Sequence, residues 1–144
     1  MKTNELKCTD LRIGNWVKVN DPIFGVNTYK VATIRDNGII TLNDNISCLV
    51  GNIEPIELTE EVLTKIGFED KKGYFNYSKV FGDENNYCDS IHIYYCPMLK
   101  HFKFTHDKVK EDDLQKMDLY NIQYLHQLQN AYFLLTNEEL EIEL

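Results

Sequence analysis

Cys88, His92 and Cys96 recur at steps of four, and thiolates with imidazole are the donors zinc favours. On a strand such residues share a face, but at ~3.3 Å per residue they stand about 13 Å apart. The ligands of one zinc ion each lie within ~2.3 Å of it, so the triplet cannot close on a metal by itself. His101 and His106 are five apart and fall on opposite faces of a strand. A metal site could form only between strands, from Cys88 or Cys96 with one of these histidines. Buried thiols with rim histidines are the plainer expectation, and no metal or cofactor is assigned.

His126, Gln129 and Asn130 make a second polar group. The imidazole could act as a general base or as a recognition group at the mouth of a groove. Its place beside an apolar stripe favours a duller role, an edge that hydrogen-bonds to neighbouring backbone or a loop. Trp16, with Phe24 and Tyr29, could present aromatic faces to a peptide or sugar, although Trp16 reads first as core. His126, Gln129, Asn130 and Trp16 are therefore the candidate recognition residues. The acid pairs Glu60-Glu61, Asp112-Asp113 and Glu138-Glu139 are adjacent in the chain and diverge on a helix or a strand, so none makes a carboxylate dyad alone. The chain has no Gly-rich phosphate loop, no Gly-x-Ser-x-Gly elbow and no Cys-x-x-Cys, and no catalytic residue is assigned.

The element that must position the second group is the segment from Asn121 to Thr136, read as the main helix. Ile122, Leu125, Leu128, Tyr132 and Leu135 fall on one stripe, and Asn137 can cap the end in a left-handed conformation. A short bridging helix is expected over 59–67. Thr59 caps it, Glu60 and Glu61 sit at the positive end of its dipole, Leu58 staples onto Leu63, and Gly67-Phe68 closes it.

The remainder reads as sheet. Leu11 to Val19 is a strand kinked at Gly14, followed by a loop marked by Asp21-Pro22 and Gly25. The stretch from Tyr29 to Leu42 is a hairpin whose Asn37-Gly38 suits a type I′ turn. Short pieces at 46–50 and 53–58 complete a small barrel, SH3-like, or a bent sheet. Strands at 74–81, 87–96 and 99–106 form an antiparallel meander, with a turn at 82–86 and with Pro97-Met98 between them. Residues 107–119 are charged and turn-prone, with at most a helical turn at 114–117. The main helix is expected to pack across this meander, and 138–144 to add an edge strand or trail as an acidic tail.

The class is thus α+β, with residues 1–57 as a β-rich module. Residues 58–144 form an α+β module of bridging helix, meander 74–106 and C-terminal helix 121–136. With 144 residues, 43% of them hydrophobic, a packed core is affordable and disorder is not expected. The net charge of -8 divides as -1 over residues 1–57 (six basic, seven acidic) and -7 over 58–144 (nine basic, sixteen acidic). With Arg12 and Arg35 as its only arginines, the chain is a poor candidate for gripping phosphate, and nucleic-acid binding is not expected. No apolar run reaches the ~18 residues a bilayer demands, and the N-terminal residues lack a signal core, so no membrane partner and a cytoplasmic location are expected. Irregular spacing of Cys8, Cys48, Cys88 and Cys96 suggests reduced thiols.

Three segments, Leu11-Arg-Ile-Gly-Asn-Trp-Val17, residues 53–69 and residues 124–140 with His-Gln-Leu-Gln-Asn, together resemble a group of small uncharacterised proteins of gut Bacteroidetes and their phages and mobile elements. The resemblance spans both ends and the middle, implies a genomic setting, and carries no activity or site residue. Members have Gly where this chain has Asn137, which preserves the cap chemistry. The reading that follows is a non-enzymatic accessory protein that binds another protein through an acidic surface. Two alternatives stand beside it: a small metal-dependent hydrolase or nuclease using His126, and a nucleic-acid-binding N-terminal module. Oligomeric state is not legible.

Overall fold

Alternating apolar residues on both sides of Asn37-Gly38 do form a hairpin, and it belongs to the first of two five-stranded antiparallel sheets. The computed structural model describes residues 6–70, 72, 77–81, 91–106 and 115–144. The chain is α+β and mostly strand, and it divides into two compact units. Unit 1 comprises Met1–Glu57 with Tyr124–Ile142, and unit 2 comprises Leu58–Gln123 with Glu143–Leu144.

In unit 1, strands β1 (Trp16–Asp21), β2 (Gly25–Ile34), β3 (Ile39–Leu42), β4 (Ser47–Leu49) and β5 (Ile53–Glu54) pair in the order β4-β3-β2-β1-β5. The strand read from Leu11 begins only at Trp16. Gly14 takes φ +93°, donates its N–H to Val31 O at 2.8 Å, and so turns the chain into the sheet. The turn joining β2 to β3 differs from the expected type I′. It spans four residues, Arg35 to Gly38, with only Gly38 at positive φ, so a type I turn closes on a glycine bulge. Asp21 to Gly25 is a tight hairpin end rather than an open loop. Val17, Val31, Ile40, Leu42 and Ile53 are buried together with Leu6 and Leu11.

The C-terminal helix α2 (Leu125–Thr136) also belongs to unit 1. This corrects both its expected packing on the meander and the module boundary that placed it with residues 58–144. The stripe is real: Leu125, Leu128 and Tyr132 are buried. Helix α2 starts later than expected, because Asn121 takes φ +63° and Ile122 donates its N–H to Lys100 O in unit 2. Asn137 ends the helix at φ +57°, its N–H bonded to Phe133 O at 2.7 Å. Residues 138–142 form no strand, yet Leu140 and Ile142 are buried, so this stretch does not trail either.

Unit 2 opens with α1 (Glu60–Lys65), whose ends match their sequence signals. Thr59 accepts from Val62 N–H, Gly67 takes φ +90°, and Phe68 N–H closes onto Leu63 O at 2.9 Å. The strands β6 (Glu69–Asp70), β7 (Tyr77–Phe81), β8 (Ile91–Cys96), β9 (His101–His106) and β10 (Gln115–Leu119) follow in simple meander order. The register sets Ile93 opposite Phe104 and Tyr95 opposite both Tyr77 and Phe102, which gathers one aromatic face. Strand β10 replaces the helical turn expected at 114–117. Cys88, the turn at 82–86 and the charged run 107–114 lie outside the described residues.

Candidate functional site

The polar group on α2 splits into two roles. Gln129, 2% exposed, is consumed by structure: its Oε1 accepts the Trp16 N–H at 2.8 Å and its Nε2 donates to Gly14 O at 3.1 Å. Asn130 accepts from Asn15 Nδ2 at 2.9 Å and donates to Asp10 O at 3.1 Å. The Gly14 kink frees backbone groups that a regular strand would have paired, and the Gln129 carboxamide answers them, while Asn130 ties the Asn15 side chain to the Asp10 carbonyl. Trp16 is core rather than a recognition surface, with its Nε1 donating to Ile142 O at 3.2 Å.

His126 is different. It lies in the first turn of α2, is 3% exposed, and its Nδ1 is buried with no hydrogen-bond partner among the described residues. Its ring lies parallel to that of Tyr124, with centroids 5.9 Å apart and 13° between the planes. Burial pushes its pKa below the usual imidazole value while Asp10 pulls the other way, so the ring is neutral at pH 7. His126 lines a pocket of about 420 Å³ together with Leu6, Thr9, Asp10, Pro55, Tyr124, Gln127 and Asn130. Every one of these residues belongs to unit 1.

An imidazole acting as general base is commonly oriented by a third group such as a carboxylate. Asp10 is the acid on the pocket wall, but one of its oxygens accepts the Lys7 N–H at 2.8 Å, and no carboxylate hydrogen-bonds His126 among the described residues. Asp10 carried no signal in the sequence, because it sits in a 3-10 turn, Cys8–Asp10, with no periodicity.

In unit 2 the meander does bring a cysteine to a histidine, since Cys96 is the cross-strand partner of His101. His101 Nε2 lies 2.9 Å from Asp118 Oδ1 and its ring stacks on Tyr120 at 4.3 Å. No group of three His, Cys, Asp or Glu side chains converges to hold a metal ion among the described residues. Cys8, Cys48 and Cys96 are free thiols, and burial raises the Cys48 pKa.

The exposed counterpart lies at the end of the β1–β2 hairpin, where Ile23 and Phe24 are 83% and 79% exposed. Their positions are fixed, because Asp21 Oδ1 accepts both the Ile23 and Phe24 N–H groups, at 2.7 and 3.0 Å, and Asn27 Nδ2 donates to Phe24 O. The two backbone N–H groups also hold the Asp21 carboxyl below the usual carboxylate range. Val26 adds a third open apolar side chain. No described helix is long and apolar enough to cross a membrane. Compared with protein-family models, with curated proteins and with solved structures, the chain matches none.

Proposed function

We propose that the chain is a non-enzymatic binding protein that works by contact with another protein. The observation that carries this reading is the exposed apolar tip at Ile23 and Phe24, whose backbone is tied to Asp21. Two large apolar side chains held open to water by an aspartate-anchored turn cost solubility and are not needed to close the hairpin. A convex tip calls for a concave apolar partner, and aromatic anchors of this type dominate binding energy at protein interfaces. The surface around such a depression would be basic. Glu138, Glu139 and Glu141 of the same unit are exposed beside buried Leu140 and Ile142, and the chain carries a net charge of -8. Acidic residues would then steer the encounter, and the tip would hold it.

Unit 1 is further proposed as an SH3-like small barrel. Its five strands meander, a 3-10 turn at Val50–Asn52 follows β4, and β5 returns to pair with β1, which supports that reading. The accessory role in a phage or mobile element, and the cytoplasm as the setting, are proposed on the sequence resemblance and composition.

The test places a photo-crosslinking residue at Val26 and compares the wild-type chain with I23S/F24S and with E138K/E141K in host lysate. Glu139 is left in place because it pairs with Arg12. A protein cross-linked by the wild type, lost with I23S/F24S and captured more weakly and with less salt dependence by E138K/E141K, is the expected result. Cross-linking indifferent to both variants would overturn the reading.

A further inference from the structure

Residues 138–142 are held on unit 1 by side chains rather than by a ladder. Leu140 and Ile142 are buried while Glu139 and Glu141 are exposed, the period of two of an extended chain. Yet the segment forms no strand, and among the described residues no backbone-to-backbone hydrogen bond reaches it. The Trp16 Nε1–H donates to Ile142 O at 3.2 Å, and Arg12 Nη2 pairs with Glu139 Oε1. The Arg12 guanidinium lies over the Phe133 ring, 3.7 Å from its centroid. Gly14 stands beside the Glu139 carboxylate, where a Cβ would meet Oε2 at 3.8 Å. Arg12, Gly14, Trp16 and Phe133 thus form a seat that takes an acid, a main-chain carbonyl and two aliphatic side chains from one extended segment.

Domains that read extended peptides use these same elements, pockets for alternate side chains and bonds to the main chain. Two features show that the present occupant leaves the seat incompletely used. Arg12 Nη1 is buried with no partner among the described residues, so a guanidinium able to grip a carboxylate with both terminal nitrogens engages Glu139 with one. The segment also brings three acids together, Glu138, Glu139 and Glu141, of which Glu139 alone is in an ion pair among the described residues. Burial, and then the charges of Glu138 and Glu141, raise the Tyr132 pKa.

We propose that residues 138–142 are a displaceable stand-in, and that their seat on unit 1 recognises an extended segment of a partner protein. The pattern it reads is an acid followed at once by an aliphatic residue and, two places further, by a second, the spacing of Glu139, Leu140 and Ile142. A tethered segment competes at an effective concentration on the order of millimolar, so the partner gains the seat in proportion to the chains that have released it. This site is separate from the tip at Ile23 and Phe24 and does not rest on it.

The test uses the full chain, a synthetic peptide with the sequence of residues 137–143, and the indole N–H NMR signal of Trp16, the only tryptophan. L140S/I142S empties the seat and leaves Arg12, Gly14, Trp16 and Phe133 in place. There the peptide should bind saturably and return the indole signal toward its wild-type position. The wild-type chain should bind it roughly tenfold or more weakly, detected by a nitroxide on the peptide that broadens the indole signal. Glu139→Gln in the peptide should weaken binding severalfold, and serine in place of both aliphatic residues should abolish it.

No return of the indole signal, affinity indifferent to these peptide changes, or equally tight binding by the wild-type chain would overturn the proposal. Wild-type dimers that form with rising concentration and are lost in L140S/I142S would put a second copy's segment in the seat and overturn the assignment of a partner protein. Where L140S/I142S loses the fold of unit 1, a Glu139→Lys chain, altered at one exposed side chain, takes its place. Absence of nitroxide broadening both there and in the wild type overturns the proposal equally. None of these outcomes bears on docking through Ile23 and Phe24.

Discussion

Gln129 spans the gap between Trp16 and Gly14, accepting the N–H of one at 2.8 Å and donating to the carbonyl of the other at 3.1 Å. A single side chain 113 residues away in sequence from Trp16 thus completes the backbone pairing that the kink at Gly14 interrupts. In Gln129→Leu both groups would be buried and unpaired, a loss of about 2–6 kcal/mol at ~1–3 kcal/mol for each. Trp16 is the only tryptophan, so denaturant unfolding followed by its fluorescence reads unit 1 directly. A loss under ~0.5 kcal/mol, the level of an ordinary surface change, would show that the clamp is dispensable.

Gly67 ends α1 at φ +90°, and a Cβ placed there would meet Lys79 Nζ at 3.0 Å. That ammonium donates to Ile66 O at 2.6 Å, capping the helix end, and burial lowers its pKa. Gly67→Ala should therefore destabilise unit 2 by more than the ~1–2 kcal/mol of a left-handed residue alone. Shortening the neighbour in G67A/K79A relieves the crowding but forfeits the cap, so the double variant should not recover wild-type stability. Tyrosine near-ultraviolet dichroism on thermal melting follows this unit, which holds six of the nine tyrosines, beside the Trp16 signal of unit 1.

Asn137 caps α2 at φ +57°. Asn137→Gly removes the Cβ penalty and should leave stability unchanged or raise it by a few tenths of a kcal/mol, whereas Asn137→Ala should cost about 1 kcal/mol. Equal melting temperatures for all three chains would mean that the cap conformation is not held in solution.

Both helix endings were legible because a cap is a local bargain between neighbours, and Thr59, Gly67 and Asn137 carry it in their own chemistry. The partner of α2 was not. The stripe of Leu125, Leu128 and Tyr132 states that a face is apolar without saying which sheet it meets. The polar groups held that information, since Gln129 answers backbone groups left unpaired by the bend at Gly14. Strand β10 escaped because Gln115-Lys-Met-Asp-Leu119 offers only Met117 and Leu119 as apolar residues, and pairing with β9 overrides that weak pattern. At the pocket, His126 was readable as polar on a helix edge. That its Nδ1 has no partner among the described residues was not, because an unmet hydrogen bond is a property of packing.

His126 gives the fold a pH dependence with a definite sign. Burial is the larger influence and lowers its pKa, and Asp10 opposes it, so the folded chain binds the proton less readily than the unfolded chain does. Above the unfolded value, about 6.5, both states are neutral and the contribution to stability is complete. As pH falls below that value the unfolded chain takes up a proton that the folded chain refuses, and stability declines until the depressed folded pKa is passed. Melting followed by Trp16 fluorescence should therefore fall between pH 7 and pH 5, and the slope should flatten in His126→Asn. In Asp10→Asn the opposing influence is gone, so the folded pKa drops further and the decline should extend to lower pH. A wild-type slope identical to that of His126→Asn would mean that the imidazole titrates in the folded chain as it does in water, and that unit 1 leaves it open to solvent.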